Sequence, residues 1–533
     1  MAQRLTSLRE ETYLYKLYKE GLEYQIKIGI RDSIPRNIDF FEGRQWPAPT
    51  ESTKNLPRPV INIIKQICRS KKAAILSTPV RPVFKSYTGG IDVSKFNSFA
   101  MSILKELEQD ALDKLAIDDG IKKGSYFYHY YWDKDAIDLN GIMDGGVRCE
   151  IIDPINIFFA NPTIYDEQKQ RWILIASYLD FTEALEMCQG RISAETLSQD
   201  KNQDGSVTIL TRYFRKNGDV YCERATKSHI ITSEFPIAPK KVSDSEDEST
   251  EERPVQAGLY PIVCGFYEKR DGSIYGISEI DGLIPNQKSI NFNVAMSLLN
   301  AQECAWGKYV ALPNALKGQR ISNVPGQVLI DHSGTGDGIK RMQEQPLSSV
   351  PMSITDNLIE MTKSACGVTA IMGGDLQWSN MSGVAIAQLQ AQAQMPIEEL
   401  RSQFWEVKRK QALVIAQFMK LYYYKKQFVT VINENGKDKE IIDYFTSSDY
   451  EKTVFDISVE ACGISKSSSA SVISMLDSCL ASGNISIETY IKSYPDSALN
   501  NKSEILKQIE IEKNSEIAKL RKEIEDLKSR KQN

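Results

Sequence analysis

Between Ser278 and Tyr424 the chain runs through a fixed order of unlike pieces. A helix almost without charge is followed by a short strand-and-turn excursion, a second short helix, a Gly-rich aromatic loop and one very long helix. No other part of the sequence constrains the fold as strongly. The first helix is predicted from Pro285, tolerated in a first turn, to about Trp306. Its apolar stripe is Ile290, Val294, Leu298, Ala301 and Ala305, and Gln287, Asn291, Asn293, Asn300 and Gln302 occupy the other side. Lys288 and Glu303 are its only charges between 287 and 306. Helices that face water normally carry many charges, so the amide side predicts contact with another protein surface or with a polar body that must not stick.

Tyr309–Leu316 and Asn323–Met342 read as strands and turns too small for a core of their own. Ser353 and Asp356 resemble a capping box opening the second helix, whose stripe is Ile354, Leu358, Met361 and Ala365. Gly367, Gly373 and Gly374 end it and admit a loop carrying Asp375, Gln377, Trp378 and Asn380. The long helix is expected from about Gly383 to Lys426. Pro396 removes one backbone bond and predicts a kink there.

Before this stretch, residues 4–29, Val60–Leu76 and Phe96–Ile117 read as amphipathic helices, and Asn37–Pro49 as a compact turn-rich segment. Ser125–Asp133, Val147–Pro162, Arg171–Asp180, Ser206–Lys216 and Leu259–Glu268 are β-branched and aromatic runs bounded by turn residues. Phe181–Gln189 is a short helix among them, and Ser243–Glu252 is an acidic stretch expected to be a solvated loop. After the long helix, Asn435-Gly436 predicts a hairpin over Gln427–Phe445. Val454–Cys462 adds a strand, and Ser467–Asn533 reads as helical. The fold class is therefore α+β, mainly helical.

The 533 residues exceed what one core organises, and 41% hydrophobic with 25% charged residues is ordinary for a globular protein. With 65 basic against 70 acidic residues the net charge is −5, which gives no general reason to grip nucleic acid. Nine cysteines without a CxxC pair read as reduced, mostly buried thiols. No run of 18 apolar residues occurs, so no membrane span is expected.

Chemistry-bearing patterns are missing. Gly334–Lys340 (GTGDGIK) lacks the spacing of a phosphate loop and reads as a glycine-rich turn. His129, His229 and His332 lie far apart in sequence without metal-ligand spacing, and no nucleophile elbow occurs. No catalytic residue, metal or cofactor is expected.

The order and spacing of several phrases resemble the portal proteins of tailed bacteriophages over essentially the whole chain. They are NIDFFEGRQW, RPVINIIKQICRSKKAAI, DPINIFFANP, YGISEIDGLIPNQKSINFNVAMSLLNAQECAWGK and SACGVTAIMGG followed by SGVAIAQLQAQ. The resemblance implies a ring homo-oligomer, usually a dodecamer, at one capsid vertex. Residues 1–278 and 427–463 would form the wing, 279–306 and 351–367 the stem helices, and 307–350 the clip. Residues 368–382 would be the tunnel loop, 383–426 the long kinked helix and 464–533 the crown and tail. Implied partners are the major capsid protein, the large terminase, a head-completion or adaptor protein and double-stranded DNA passing through without tight binding. The implied location is the virion, with host cytoplasm during assembly.

On this reading Asp375, Gln377, Trp378 and Asn380 face the DNA, and Lys317, Arg320, Lys340 and Arg341 are clip docking residues. Ile290, Val294, Leu298, Leu358 and Met361 pack the stem. Twelve copies at −5 each would carry −60, which suits a conduit through which DNA slides. The alternatives are a structural ring of a genome-free phage-derived particle and a metal-dependent phosphotransferase.

Overall fold

The computed structural model describes residues 11–87, 93–136, 145–238, 257–305, 309–313, 315–321, 328, 330–334, 337–341, 350–368, 383–424, 427–432, 440–451, 453–461, 466–494, 505–506 and 508–509. The architecture is mixed, 47% helix and 23% strand, in agreement with the α+β expectation. Helix α1 (Tyr13–Lys27) is opened by Thr12, whose hydroxyl accepts the Tyr15 amide at 3.3 Å. It lays Leu14, Leu17 and Tyr18 on Phe158, Leu174 and Leu210. After the left-handed Gly29, α2 (Ile30–Glu42) continues through Pro35 to Gly43. The turn-rich reading of Asn37–Pro49 is thus corrected over its first half. Ile34, Asn37 and Phe40 are buried on one side of α2, and tertiary burial overrides local turn signals.

Helix α3 (Ile63–Ile75) is capped by Asn62, which accepts the Lys65 amide at 2.9 Å. Strand β1 (Val80–Ser86) follows. The single helix expected over 96–117 is two, α4 (Ser94–Glu106) and α5 (Gln109–Lys123). Glu108 breaks them with φ 48°, a left-handed conformation uncommon outside glycine. The bend lets Phe99 stack on Phe445 at 4.5 Å while Ala116, Ile117 and Ile121 enter the same core.

Two antiparallel sheets follow. Strands β2 (Ser125–Asp133), β3 (Gly146–Ile152) and β9 (Ile262–Phe266) form one, in the order β3-β2-β9. Strands β4 (Ile157–Phe159), β5 (Trp172–Leu179), β6 (Val207–Lys216), β7 (Asp219–Ala225) and β8 (Ile230–Pro236) form a meander in chain order. Short helices α6 (Phe181–Met187) and α7 (Ala194–Ser198) cover its edge with Ala184, Cys188 and Leu197. Strands β7 and β8 were not expected from sequence. The signal for β7 was present, because Asn217 (φ 54°) and Gly218 (φ 89°) form the two-residue turn between β6 and β7. Ile157, Ile173, Tyr213, Tyr260 and Ile262 fill the space between the sheets. A small hairpin of β10 (Glu268–Arg270) and β11 (Ser273–Ile277) leads out of this region.

Helix α8 (Glu279–Ala305) starts six residues before Pro285, so the proline lies inside the helix instead of opening it. Strands β12 (Tyr309–Ala311) and β13 (Ile339–Arg341) pair antiparallel. Helix α9 (Val350–Ala365) begins before Ser353, which corrects the capping-box reading. Helix α10 (Gly383–Tyr422) is one continuous helical element through Pro396. Strands β14 (Gln427–Ile432) and β15 (Glu440–Phe445) form the expected hairpin arms, and β16 (Phe455–Ala461) pairs antiparallel with β1 from the other end of the chain. Helices α11 (Lys466–Ala481) and α12 (Ile487–Ser493) end the described elements. The acidic Ser243–Glu252 stretch, the Asn435-Gly436 turn and the tail beyond 509 lie outside the described residues.

Candidate channel-forming segment

Helix α8 is rooted in the core by its first turns. Ser278 caps it, accepting the Ile280 amide at 3.0 Å and donating to the Ile121 carbonyl at 2.8 Å. Glu279 and Asp281 place negative charge in the first turn, where the helix dipole favours it. Glu279 accepts from Lys71 of α3 at 2.7 Å and from the Tyr267 hydroxyl at 2.8 Å. Burial, reinforced by the Glu279 charge, pushes the Tyr267 phenol well up. Cys366, just after α9, stands at the same node, and burial pushes its thiol up to about 11.

About two turns further, the amides of α8 turn inward. The Ile63 amide donates to Gln287 Oε1 at 3.0 Å, and Gln287 Nε2 donates to the Ile61 carbonyl at 2.6 Å. Asn291 accepts the Ile61 amide at 3.2 Å and donates to Gln45 Oε1 at 2.6 Å. Gln287 and Asn291 are buried, so the expectation that this amide side faces a foreign surface is corrected for these two residues. They satisfy backbone groups at the start of α3, which would otherwise lack partners. Of the remaining amides, Gln302 is exposed, and Asn293 and Asn300 are half-buried.

The apolar side behaves in the opposite way. Ile290 is buried and Val294 half-buried, but Leu298 is 44% exposed. Phe292 and Met296, one turn apart, form a second edge at 52% and 39% exposure. Against α8, helix α9 buries Thr355 and Thr362, and Asn286 donates to the Thr362 hydroxyl at 3.0 Å. The stripe expected to be the packing face of α9 lies beside that contact. Leu358 is half-buried, whereas Ile354 is 47% and Met361 70% exposed.

In the excursion, Lys317, Arg320 and Lys340 are exposed, and Lys340 pairs with Asp337 at 3.2 Å. Arg341 lies in β13 opposite Tyr309. The Asp331 carboxylate accepts the Ser333 amide at 2.8 Å and the Gly338 amide at 2.9 Å, and the Ser333 hydroxyl together with these bonds lowers its pKa. One backbone donor inside the glycine-rich segment and one just before it are therefore already used, against a phosphate loop. The loop residues Asp375, Gln377, Trp378 and Asn380 lie outside the described residues, and nothing is described of the Pro396 side chain.

The C-terminal half of α10 fastens the segment to the sheets. Lys410 pairs with Glu167 at 2.9 Å, and Gln417 exchanges two bonds with the Leu259 backbone, at 2.8 and 3.0 Å. Lys420 donates to the Thr453 carbonyl at 2.6 Å, and the Tyr422 hydroxyl to the Ile237 carbonyl. Its buried face also carries Lys408, which forms a nearly fully buried ion pair with Asp113 of α5. Periodicity cannot show the buried charges of this face, whose partners are remote in sequence.

His129 accepts or donates between Glu150 at 2.7 Å and Tyr213 at 2.8 Å, a structural bridge between the sheets. Among the described residues no three His, Cys, Asp or Glu side chains are grouped to hold a metal ion. Among them, too, no helix is long and apolar enough to cross a membrane.

No curated protein matches the chain. Residues 243–461, less than half of its length, match the model of the phage P22-like portal protein family. The matched stretch contains α8, the β12–β13 excursion, α9 and α10, and it does not reach the N-terminal phrases NIDFFEGRQW and RPVINIIKQICRSKKAAI. That family is structural rather than enzymatic and implies a capsid-associated oligomer. The match over 243–461 thereby supports a tailed-phage portal protein.

Proposed function

We propose that the chain is the subunit of a ring, expected to be a dodecamer, that forms the channel for double-stranded DNA at one capsid vertex. Residues 279–306 and 351–367 would be its stem, 307–350 its clip and 368–382 its tunnel loop. The remaining assignments are wing for 1–278 and 427–463, long helix for 383–426 and crown for 464–533. The observation that carries the reading is the set of uncovered apolar side chains on α8 and α9: Phe292, Met296, Leu298, Ile354 and Met361. Helices with so few charges and such exposed edges call for a protein neighbour, and a second copy supplies the same edges in return.

The mechanism is passive. Packed stems would enclose the lumen, and the acidic balance of the chain would keep DNA from adhering. Asp375, Gln377, Trp378 and Asn380 are proposed to line the throat. Lys317, Arg320, Lys340 and Arg341 would meet the terminase and later the adaptor protein, while the wing meets the major capsid protein. Electron microscopy of the purified protein is the direct test. Rings with a central channel are expected, and a monomer that turns over nucleotide would overturn the reading. Deleting 369–382 should impair DNA packaging or retention; unchanged packaging and retention would remove the loop from the mechanism.

A further inference from the structure

Between the three-stranded sheet, the end of the meander and the C-terminal half of α10 lies a cavity of about 400 Å³. This size falls in the range of small-ligand sites. Its walls are aromatic: Tyr130 and Trp132 from β2, Tyr213 from β6, Phe235 from β8, and Phe418 and Tyr422 from α10. Trp132 and Tyr422 lie parallel within 7° at 4.5 Å, and Tyr422 is pinned by its bond to the Ile237 carbonyl. The wall is therefore built before any ligand arrives.

Arg224 of β7 lines the same cavity. Its Nε is buried and has no hydrogen-bond acceptor among the described residues. Among the described residues the lining contains Lys134 at one side and no aspartate or glutamate. Among the described lining residues none carries a negative charge that would neutralise the guanidinium. Burial pushes the Cys222 thiol up to about 12 despite the pull of Arg224, and burial raises the phenols of Tyr130 and Tyr213. All three remain uncharged near neutral pH. A half-buried guanidinium with no carboxylate beside it among the described residues is costly, and this favours any anion that fits. A planar carboxylate matches the guanidinium fork, and the rings accept an apolar body beside it. The aromatic walls suit an anion with an apolar body better than a bare phosphate ion.

We propose that this cavity binds a carboxylate carried on an aromatic body, either a free aromatic acid or the C-terminal aromatic residue of a peptide. Calorimetry on the full-length protein tests it with phenylacetate, phenylacetamide, acetyl-Gly-Phe as acid and as amide, and inorganic phosphate. Each acid should bind saturably and at least tenfold more tightly than its amide, and Arg224→Gln should abolish that preference. Tighter binding of acetyl-Gly-Phe than of phenylacetate assigns a peptide terminus, and the reverse order assigns a free acid. Equal binding of acid and amide by the unmutated protein overturns the proposal without recourse to a variant. So does binding of inorganic phosphate as tight as that of phenylacetate, or an acid preference that survives Arg224→Gln.

Discussion

Lys71 of α3 and Glu279 in the first turn of α8 form an ion pair at 2.7 Å with both side chains about nine-tenths buried. The pair joins the root of the candidate stem to the helical core. Removing one member of such a pair leaves the other charged and unpaired in a poorly hydrated site, at a cost of about 3–5 kcal/mol. Lys71→Met should therefore lower the denaturation midpoint markedly. Glu279→Gln keeps an acceptor for Tyr267 and should lower it less. Thermal melts of both variants check the order.

The Gln287–Asn291 pair predicts a sharper contrast. Asn291→Leu strands the Ile61 amide and the Gln45 carboxamide, a loss of about 1–3 kcal/mol. Gln302→Leu, on the exposed side of the same helix, should stay within about 0.5 kcal/mol. Urea unfolding of the two variants distinguishes them, and equal losses would contradict the inward reading of these amides.

Charged substitutions at the uncovered apolar edges should separate folding from assembly. Phe292→Asp and Met361→Lys remove exposed contacts, so the melting temperature of the isolated subunit should change little. Oligomer formation, followed by light scattering, should be lost or weakened at least tenfold. Normal oligomers from both variants would count against α8 and α9 as the contact surface.

Acid should loosen the edge of the meander through Asp200. Burial opposes ionisation there, but bonds from the Ser228 and Thr226 hydroxyls and the Ser228 amide outweigh it, so the folded pKa is lowered. A depressed folded pKa stabilises above the unfolded value, about 3.9, and that contribution fades as pH falls through the lower folded value. The melting difference between the unmutated protein and Asp200→Asn should thus be full at pH 6 and shrink below about pH 4.

Gly124 adopts φ +85° at the end of α5, and a Cβ there would stand 2.7 Å from the Gly276 carbonyl oxygen. Gly124→Ala combines backbone strain with a backbone clash and should destabilise by more than about 1 kcal/mol. Soluble yield and melting temperature report it. Gly272→Ala, also at positive φ but in open space, should cost less.

Much of this fold was legible because its strands alternate and its helices carry stripes. The strands around Tyr128, Ile175 and Leu210, and the paired segments β1 and β16, follow local composition. What stayed hidden depends on distant partners. The break at Glu108 carries no glycine or proline. It exists because α4 and α5 serve different parts of the core. The Pro285 error arose because Ser278, seven residues earlier, is fixed as a cap by the Ile121 carbonyl. In the candidate segment, periodicity gave the phase of each stripe but not what covers it. Gln287 looked outward until Ile61 and Ile63, more than 220 residues away in sequence, turned out to be its partners. Ile354 and Met361 looked like a packed face and instead stand open in the single subunit.

The four polar ties from α10 to Glu167, Leu259, Thr453 and Ile237 leave from Lys410, Gln417, Lys420 and Tyr422 and reach four separate segments. A force along the helix axis is consequently divided among them. To slide or roll, α10 would have to give up each of them. Mechanical load entering at its N-terminal end is then spread through the sheets as a whole, as in a riveted beam.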